Sequence, residues 1–253
     1  MARAFLFLAL IVGSQATADL VDWSSQEGIH RLERSKHKVD FFKLANHFES
    51  QRNRLYCGPT TGIILLNAFR LGKEGVAEDE TTFEAGYKKY LPKGMSPFFP
   101  KYTQNTFFSS AKQGIKSEAA VCGEPPAGKP EEHDFGFQLR QYDDALKAHG
   151  LKTTLRIVTD GMDSKTIRAE LIQNLKTPGD FVVVNYARSG MGQKGGGHIS
   201  PLGAYDAQSD SFLVLDVNPN SAPWVWAPAD TLISAMRTKD TVENRGYILV
   251  QDK

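Results

Sequence analysis

Cys57, His198 and Asp216 are the residues whose types and surroundings could do chemistry together. Tyr56-Cys57-Gly58-Pro59-Thr60-Thr61 runs into Ile63, Ile64, Leu65, Leu66, Ala68 and Phe69. These are apolar on nearly every side, as in a helix buried in a core. Pro59 suits a first helical turn, where its missing N–H is not needed, so Cys57 falls at the helix N-terminus. There the positive end of the helix dipole and the unpaired backbone N–H groups favour thiolate over thiol, which makes a cysteine nucleophilic near neutral pH. His198 is of a type that acts as general base, and Asp216 supplies a carboxylate that could orient it.

Taken singly, these residues have plainer readings. A free cysteine is most often a small buried hydrophobe, and a lone histidine a satisfied core or surface residue. Asp216 resists the plain reading, because Leu213-Val-Leu-Asp-Val217 puts a charge inside an apolar strand, which is costly unless paired. Two strand-like runs, His198 to Tyr205 and Phe212 to Val217, flank Asp206-Ala-Gln-Ser-Asp210, a hairpin loop by composition. His198 and Asp216 are equidistant from Ala207. A hairpin centred there sets them opposite each other on neighbouring strands, about 5 Å apart at the backbone. Gln51 precedes Cys57 by six positions. Thiol peptidases of the papain type often carry a glutamine there, whose side-chain N–H joins the cysteine's backbone N–H in binding an oxyanion.

The rest of the chain must position these groups. Residues 19–50 alternate charged and apolar positions and suggest a helical approach to the site, with His30, His37 and His47 lacking metal-ligand spacing. From Leu71 to about Gly136, Gly and Pro recur without period, as in irregular loops. Helical spacing returns from Phe135 to His149, and Thr153 to Val158 reads as a strand. Asp163 or Ser164 can cap a helix carrying Ile167, Leu171 and Leu175, ended by Pro178-Gly179. Phe181-Val-Val-Val-Asn-Tyr186 is a buried strand. The glycines of 190–197 contain G-x-G-x-x-G, but that fingerprint must open a helix and here opens a strand, so a dinucleotide site is rejected. They suit a mobile loop that lets substrate backbone approach His198. Trp224 and Trp226 are read as core or pocket wall, Pro228 to Met236 as a helix and Gly246 to Val250 as a closing strand. A helix carrying the nucleophile, packed on a sheet carrying base and orienter, is an α+β arrangement of the papain sort.

The 253 residues are taken as one catalytic domain over 19–253, preceded by an export signal. Met1-Ala-Arg3, the short apolar run from Phe5 to Val12 and Ala16-Thr-Ala18 have the form of a cleaved signal peptide, giving a secreted or periplasmic protein that begins at Asp19. Hydrophobic residues at 41% and charged residues at 23% argue against disorder and against a membrane bundle. Removing residues 1–18 takes away Arg3 and leaves 29 residues of each sign, so neither nucleic acid nor an anionic membrane is expected as partner. Cys57 and Cys122 are the only cysteines, which excludes a disulfide framework. A bridge between them would block the nucleophile and is expected only as a resting form.

Several stretches together resemble the phytochelatin synthases, papain-like cysteine peptidases that act on glutathione. They are Gln51…Tyr56-Cys57-Gly58 with Leu66-Asn67-Ala68; Tyr186 and Arg188 before Gly195-x-Gly197-His198-x-Ser200-Pro201-x-Gly203-x-Tyr205; Leu215-Asp216-Val217; Trp224-Val225; and Ala235-Met236…Asp240…Arg245-Gly246-Tyr247. The resemblance implies a triad of Cys57, His198 and Asp216 with Gln51 in the oxyanion hole. It also implies a γ-glutamyl pocket, for which Arg188, Asp240 and Arg245 offer charges and Tyr186 and Gly197 are further candidates. The expected reaction is cleavage of the Cys–Gly bond of glutathione through a γ-glutamylcysteinyl thioester, followed by hydrolysis or by transfer to a second glutathione. No cofactor and no protein metal site are expected; Cd²⁺ or Zn²⁺ would enter as glutathione thiolates. Plant members continue into a cysteine-rich second half, whereas this sequence resembles the short bacterial members, which mainly hydrolyse glutathione. Oligomeric state stays open, a homodimer included. Two other readings remain: a papain-like peptidase of another specificity, such as double-glycine leader peptides, and a non-catalytic binder of metal–thiolate complexes.

Overall fold

The computed structural model describes residues 19–112 and 114–253, and the expected signal peptide over 1–18 lies outside them. The organising element is the helix α3, Cys57–Arg70, in which every residue from Gly58 to Asn67 is buried. Tyr56 gives α3 no side-chain cap, which leaves first-turn N–H groups unpaired at Cys57. Two helices precede it: α1, Gln26–Arg34, capped by Ser25 with Arg31 and Arg34 in its last turn, and α2, Val39–Asn46. The short α4, Glu118–Val121, and then α5, Leu139–Ala148, follow it. Gln138 and Gln141 close a reciprocal capping box at the start of α5. Asp163 caps α6, Ser164–Asn174, which stops before the expected Pro178-Gly179. The last helix is α7, Ala229–Met236.

The strands are β1, Val21–Asp22; β2, Lys152–Ile157; β3, Asp180–Ala187; β4, Gly197–Asp206; β5, Ser211–Val214; β6, Val225–Pro228; and β7, Gly246–Gln251. They form one antiparallel sheet in the order β1-β6-β5-β4-β3-β7-β2. The arrangement is α+β. All eight residues of β3 are buried, because helices cover both faces. Phe181 and Val183 join the core formed with α3 and α5, while Val182, Val184 and Tyr186 join the core formed with α6 and α7. This alternation is the period-2 geometry of a strand. The expected closing strand β7 lies inside the sheet, between β3 and β2.

The β4–β5 hairpin departs from expectation. It closes with Asp206 opposite Ser211, and a bulge between Leu202 and Ala204 shifts the register so that Leu202 faces Val214. Leu215 N–H then donates to Pro201 O (3.0 Å), which brings Asp216 level with Ser200 and not with His198. The extra residue is Gly203. A Cβ there would come within 3.1 Å of the Leu215 side chain, so the bulge needs glycine. Shifting the register by one residue exchanges faces, and it is this shift that puts Asp216 on the same face as His198.

Residues 71–138 make the irregular excursion that the sequence suggested, and side chains from α3 hold it. Asn67 Nδ2 donates to Tyr102 O (2.8 Å) and its Oδ1 accepts from Tyr102 N–H (2.9 Å). Gln104 Oε1 accepts from Thr60 Oγ1 and from Arg52 N–H, each at 2.9 Å, and its Nε2 donates to Ser50 O (2.9 Å). The excursion therefore clamps the loop that carries Gln51. Trp226 is fully buried with Nε1 donating to Gly28 O (3.0 Å), and Trp224 packs against Trp23, Phe41 and Phe48. Among the described residues no helix is long and apolar enough to cross a membrane.

Candidate active site

α3 presents Cys57 at its first turn, against β4. Thr61 Oγ1 donates to Ile199 O (3.1 Å), which locks the helix to the strand one residue beyond His198. The imidazole is buried at 4% exposure, with Nε2 2.8 Å from Asp216 Oδ1. The ring N–H is not aimed along that line, so the contact is an ion pair with a bent hydrogen bond. With Nε2 facing the carboxylate, Nδ1 is the nitrogen left for Cys57.

The three groups charge one another. Burial raises the Cys57 thiol pKa, but the His198 hydrogen bond and charge, with the N–H groups of Ile199 and Gly58, outweigh it and bring the thiol below its ordinary value. Burial opposes protonation of His198, yet Asp216 and Cys57 together raise its pKa. Burial likewise opposes ionisation of Asp216, and His198 and Arg188 overcome it. These shifts all favour a thiolate–imidazolium pair on a carboxylate, and the three groups titrate as a coupled unit.

Asp216 is fully buried and densely held. Arg188 Nη1 lies 2.7 Å from Oδ2 and its Nη2 donates to Oδ1 at 2.9 Å. Asn218 N–H donates to Oδ1 (2.8 Å) and Tyr186 OH to Oδ2 (3.3 Å). Their place in the motif makes Arg188 and Tyr186 substrate-binding candidates. The structure takes both to Asp216: Arg188 is 3% exposed, its remaining Nη1 donation goes to Gln193 Oε1 (3.0 Å), and neither residue lines the cleft. A fixed, buried carboxylate attracts the nearest guanidinium fork.

The cleft beside Cys57, about 270 Å³, is lined by Arg54, Leu55 and Cys57, by Phe135 to Phe137, by Asn185 of β3, by Gly196 to Ile199 at the start of β4, and by Asp240 in the loop before β7. Asp240 therefore stands in it, bonded by Arg245 Nη2 (2.9 Å) and approached by Asn185 Nδ2 (3.4 Å). Arg245 lies behind Gly197, where a Cβ would come 3.0 Å from Nη2, so glycine is what lets the guanidinium approach the cleft floor. Its Nη1 donates to Lys239 O and Thr238 Oγ1, while Nε is buried without a partner. The first half of the glycine-rich segment forms a 3₁₀ turn, Arg188–Met191, closed by Gly192 at φ 70°. Gln51 is 6% exposed and lies outside the cleft lining; its Nε2 donates to Asn53 O (2.6 Å) and keeps a second hydrogen, and its Oε1 has no partner. Both cysteines carry free thiols, with Cys122 exposed. No group of three His, Cys, Asp or Glu residues suited to a metal occurs among the described residues.

Sequence reasoning missed Asn185, Gln104 and Arg54. Asn185 alone left a signal, as an amide inside an apolar strand; its Oδ1 is buried without a partner at the cleft.

Comparison with known proteins is consistent across the chain. The phytochelatin synthase family profile matches residues 13–247. Similar curated proteins include "Glutathione gamma-glutamylcysteinyltransferase 3" of Lotus japonicus, 28% identical over 215 residues, 83% of this chain and 37% of that protein. "Glutathione gamma-glutamylcysteinyltransferase 1" of Arabidopsis thaliana is 25% identical over 235 residues, 91% of this chain and 41% of that protein. A Schizosaccharomyces pombe protein of the same name is 25% identical over 118 residues, 46% of this chain and 28% of its own length. The chain thus spans less than half the length of each.

Proposed function

Because the chain belongs to the phytochelatin synthase family, we propose that it is a thiol acyltransferase acting on glutathione from a papain-like catalytic domain over residues 19–253. The observation that carries this reading is the pairing of Cys57 with His198 and Asp216 at a cleft that Asp240, paired to Arg245, also lines.

The thiolate of Cys57 attacks the carbonyl carbon of the Cys–Gly amide. Charge that develops on the carbonyl oxygen meets the Cys57 backbone N–H at the start of α3 and the spare Nε2 hydrogen of Gln51. Protonated His198 gives its proton to the glycine nitrogen as the C–N bond breaks, and glycine leaves. A γ-glutamylcysteinyl thioester then remains on Cys57. Neutral His198 next takes a proton from attacking water, or from the amine of a second glutathione, and the thioester C–S bond breaks to restore the thiolate. The products are γ-glutamylcysteine or a phytochelatin. Asp216, held by Arg188, Tyr186 and Asn218, keeps the imidazole oriented and charged.

The γ-glutamyl end of glutathione carries a free ammonium and a free carboxylate. Asp240 offers the anion and Arg245 the fork, with Asn185 Oδ1 and Gly197 beside them. Cd²⁺ or Zn²⁺ acts as part of the substrate, presenting the acceptor glutathione as a thiolate. Cleavage after Ala18 delivers the enzyme outside the cytoplasm with Asp19 first, which an intact mass of the native protein would test.

Incubation with glutathione and measurement of free glycine tests the core of the proposal. Wild-type protein is expected to release glycine, and Cys57→Ser or His198→Ala to lose at least about 10³-fold. Arg245→Ala and Asp240→Ala are expected to lose about 30-fold to 1,000-fold on glutathione and little on a Cys-Gly donor without the γ-glutamyl group. Cleavage of a double-glycine leader peptide with no glycine released from glutathione would overturn the proposal.

A further inference from the structure

Two arginines flank Asn53, and their surroundings differ sharply. Arg52 is spent on the protein: its guanidinium reaches Asn105, Tyr56 OH (2.8 Å) and Glu118 (2.8 Å), and lies over the Tyr56 ring at 4.4 Å. Arg54 makes no ion pair or side-chain hydrogen bond with any described residue, yet it lines the cleft three residues before Cys57. Its backbone is not loose. Leu55 N–H donates to Asn53 Oδ1 (2.9 Å), Gln51 Nε2 to Asn53 O (2.6 Å), and Gln51 N–H to Val217 O (2.8 Å), so the turn that presents Arg54 is tied to the segment after β5 that carries the triad carboxylate. Besides the Cys57–His198 pair, the cleft lining holds two charged residues, and Asp240 is already paired while Arg54 is not. Arg54 is exposed at the edge of the cleft, so its guanidinium, held by a fixed turn three residues before the nucleophile, is free to pair with an anion that enters there.

Glutathione and its reaction partners supply that anion in one position. The group leaving the tetrahedral intermediate is glycine, an amine with a carboxylate on the adjacent carbon. The group that enters in transfer is the α-amine of a second γ-glutamyl residue, which also has a carboxylate on the adjacent carbon. The acceptor must approach along the path by which glycine departs. We propose that Arg54 is the carboxylate clamp of a leaving-group and acceptor subsite, recognising an α-amino carboxylate on the departing side of the scissile bond. This rests on the reading of the cleft as the glutathione site and adds to it: the γ-glutamyl end lies toward Asp240, and the far carboxylate toward Arg54. Such a clamp would also select against ordinary peptides, whose next residue presents a neutral amide there.

The test compares glutathione with its C-terminal amide, in which glycinamide replaces glycine, as donors for wild-type enzyme, Arg54→Gln and Arg54→Lys. Wild-type kcat/KM is expected to favour glutathione by roughly 10-fold to 100-fold, the range of one charge-assisted contact. In Arg54→Gln the preference falls to about one through loss on glutathione alone, with Arg54→Lys between. Partition of the thioester between water and added amine reads the same clamp independently: glycine should outcompete glycinamide in wild type and lose that advantage in Arg54→Gln. Alkylation of Cys57 by iodoacetamide should be unchanged. Equal wild-type turnover of both donors would overturn the clamp and leave the glutathione reading standing. Equal losses on both donors in Arg54→Gln would also overturn it. Failure of wild type to release glycine or glycinamide from either donor would instead overturn the glutathione reading on which the clamp depends.

Discussion

Replacing Arg188 by methionine would strip Asp216 of both guanidinium contacts, the one to Oδ2 and the one to Oδ1, the oxygen that also meets the imidazole. In the intact protein that fully buried group has Arg188 at 2.7 and 2.9 Å, His198 at 2.8 Å, Asn218 N–H at 2.8 Å and Tyr186 OH at 3.3 Å. Breaking a buried ion pair from one side costs about 3–5 kcal/mol. Here His198 remains as counter-charge, so the lower end applies. About 3 kcal/mol corresponds to a fall in Tm of roughly 6–12 °C for a domain of this size. Activity should fall through kcat, by about 10-fold to 100-fold, because an imidazole displaced by a fraction of an ångström meets the leaving nitrogen badly. Arg188→Lys keeps the charge without the fork and should recover part of both losses. The double variant Arg188→Met/Asp216→Asn should be more stable than Arg188→Met, since neither charge is then left buried alone. Steady-state glycine release on glutathione, with Tm by calorimetry, reads all of this. A KM raised tenfold or more with kcat and Tm unchanged would refute the reasoning and return Arg188 to the substrate.

Three further outcomes follow from the same contacts. The rate of Cys57 alkylation against pH should rise along a limb displaced below that of an ordinary cysteine, and Asp216→Asn, by removing the charge that raises His198, should move that limb upward. Gln104→Ala, which removes three hydrogen bonds to Ser50, Arg52 and Thr60, should destabilise by about 1–3 kcal/mol in urea unfolding and lower kcat by freeing the Gln51 loop. Asp40 in α2 is buried without a partner, and burial first, then Asp180, raises its pKa to about 8. Its folded state binds the proton more tightly than the unfolded chain, so stability is greatest below the unfolded pKa near 3.9 and declines as pH rises to about 8. Asp40→Asn should therefore stabilise the protein by roughly 2–4 kcal/mol at pH 8 to 9 and little at pH 4; equal denaturation midpoints for the two proteins at pH 9 would contradict this.

Local pattern carried much of the fold. An all-round apolar run after Pro59 places α3, and Phe181 to Tyr186 places β3, because burial on every side leaves its mark in composition. Cys57, His198 and Asp216 were visible as types at telling positions, and the structure brings them together. What pattern could not carry was partnership over distance. Arg188 reads as a substrate cation from its place before the glycine segment, and only the packing shows that its fork closes on a carboxylate 28 residues later. Arg52 and Arg54 look alike in sequence, yet tertiary contacts consume one and spare the other. Gln104 sits in a segment without period, and its role lies in contacts 44 to 54 residues away. The hairpin register differs for another reason: with Asp206 opposite Ser211 the loop is centred between Gln208 and Ser209 and not at Ala207, a placement that composition does not fix, and the bulge then shifts the pairing by one residue.

That bulge determines which length changes the hairpin would tolerate. Residues added within 207–210 lie beyond the last paired residues, Asp206 and Ser211, and leave every cross-strand neighbour where it was. A single deletion at Gly203 would instead put His198 and Asp216 on opposite faces of the sheet and dissolve the triad. Only a matching deletion between Leu213 and Asp216 would bring the two back to one face. Variation in chain length is thus open at the tip of the hairpin and coupled in its arms, so the spacing from His198 to Asp216 could change while the catalytic pair survived.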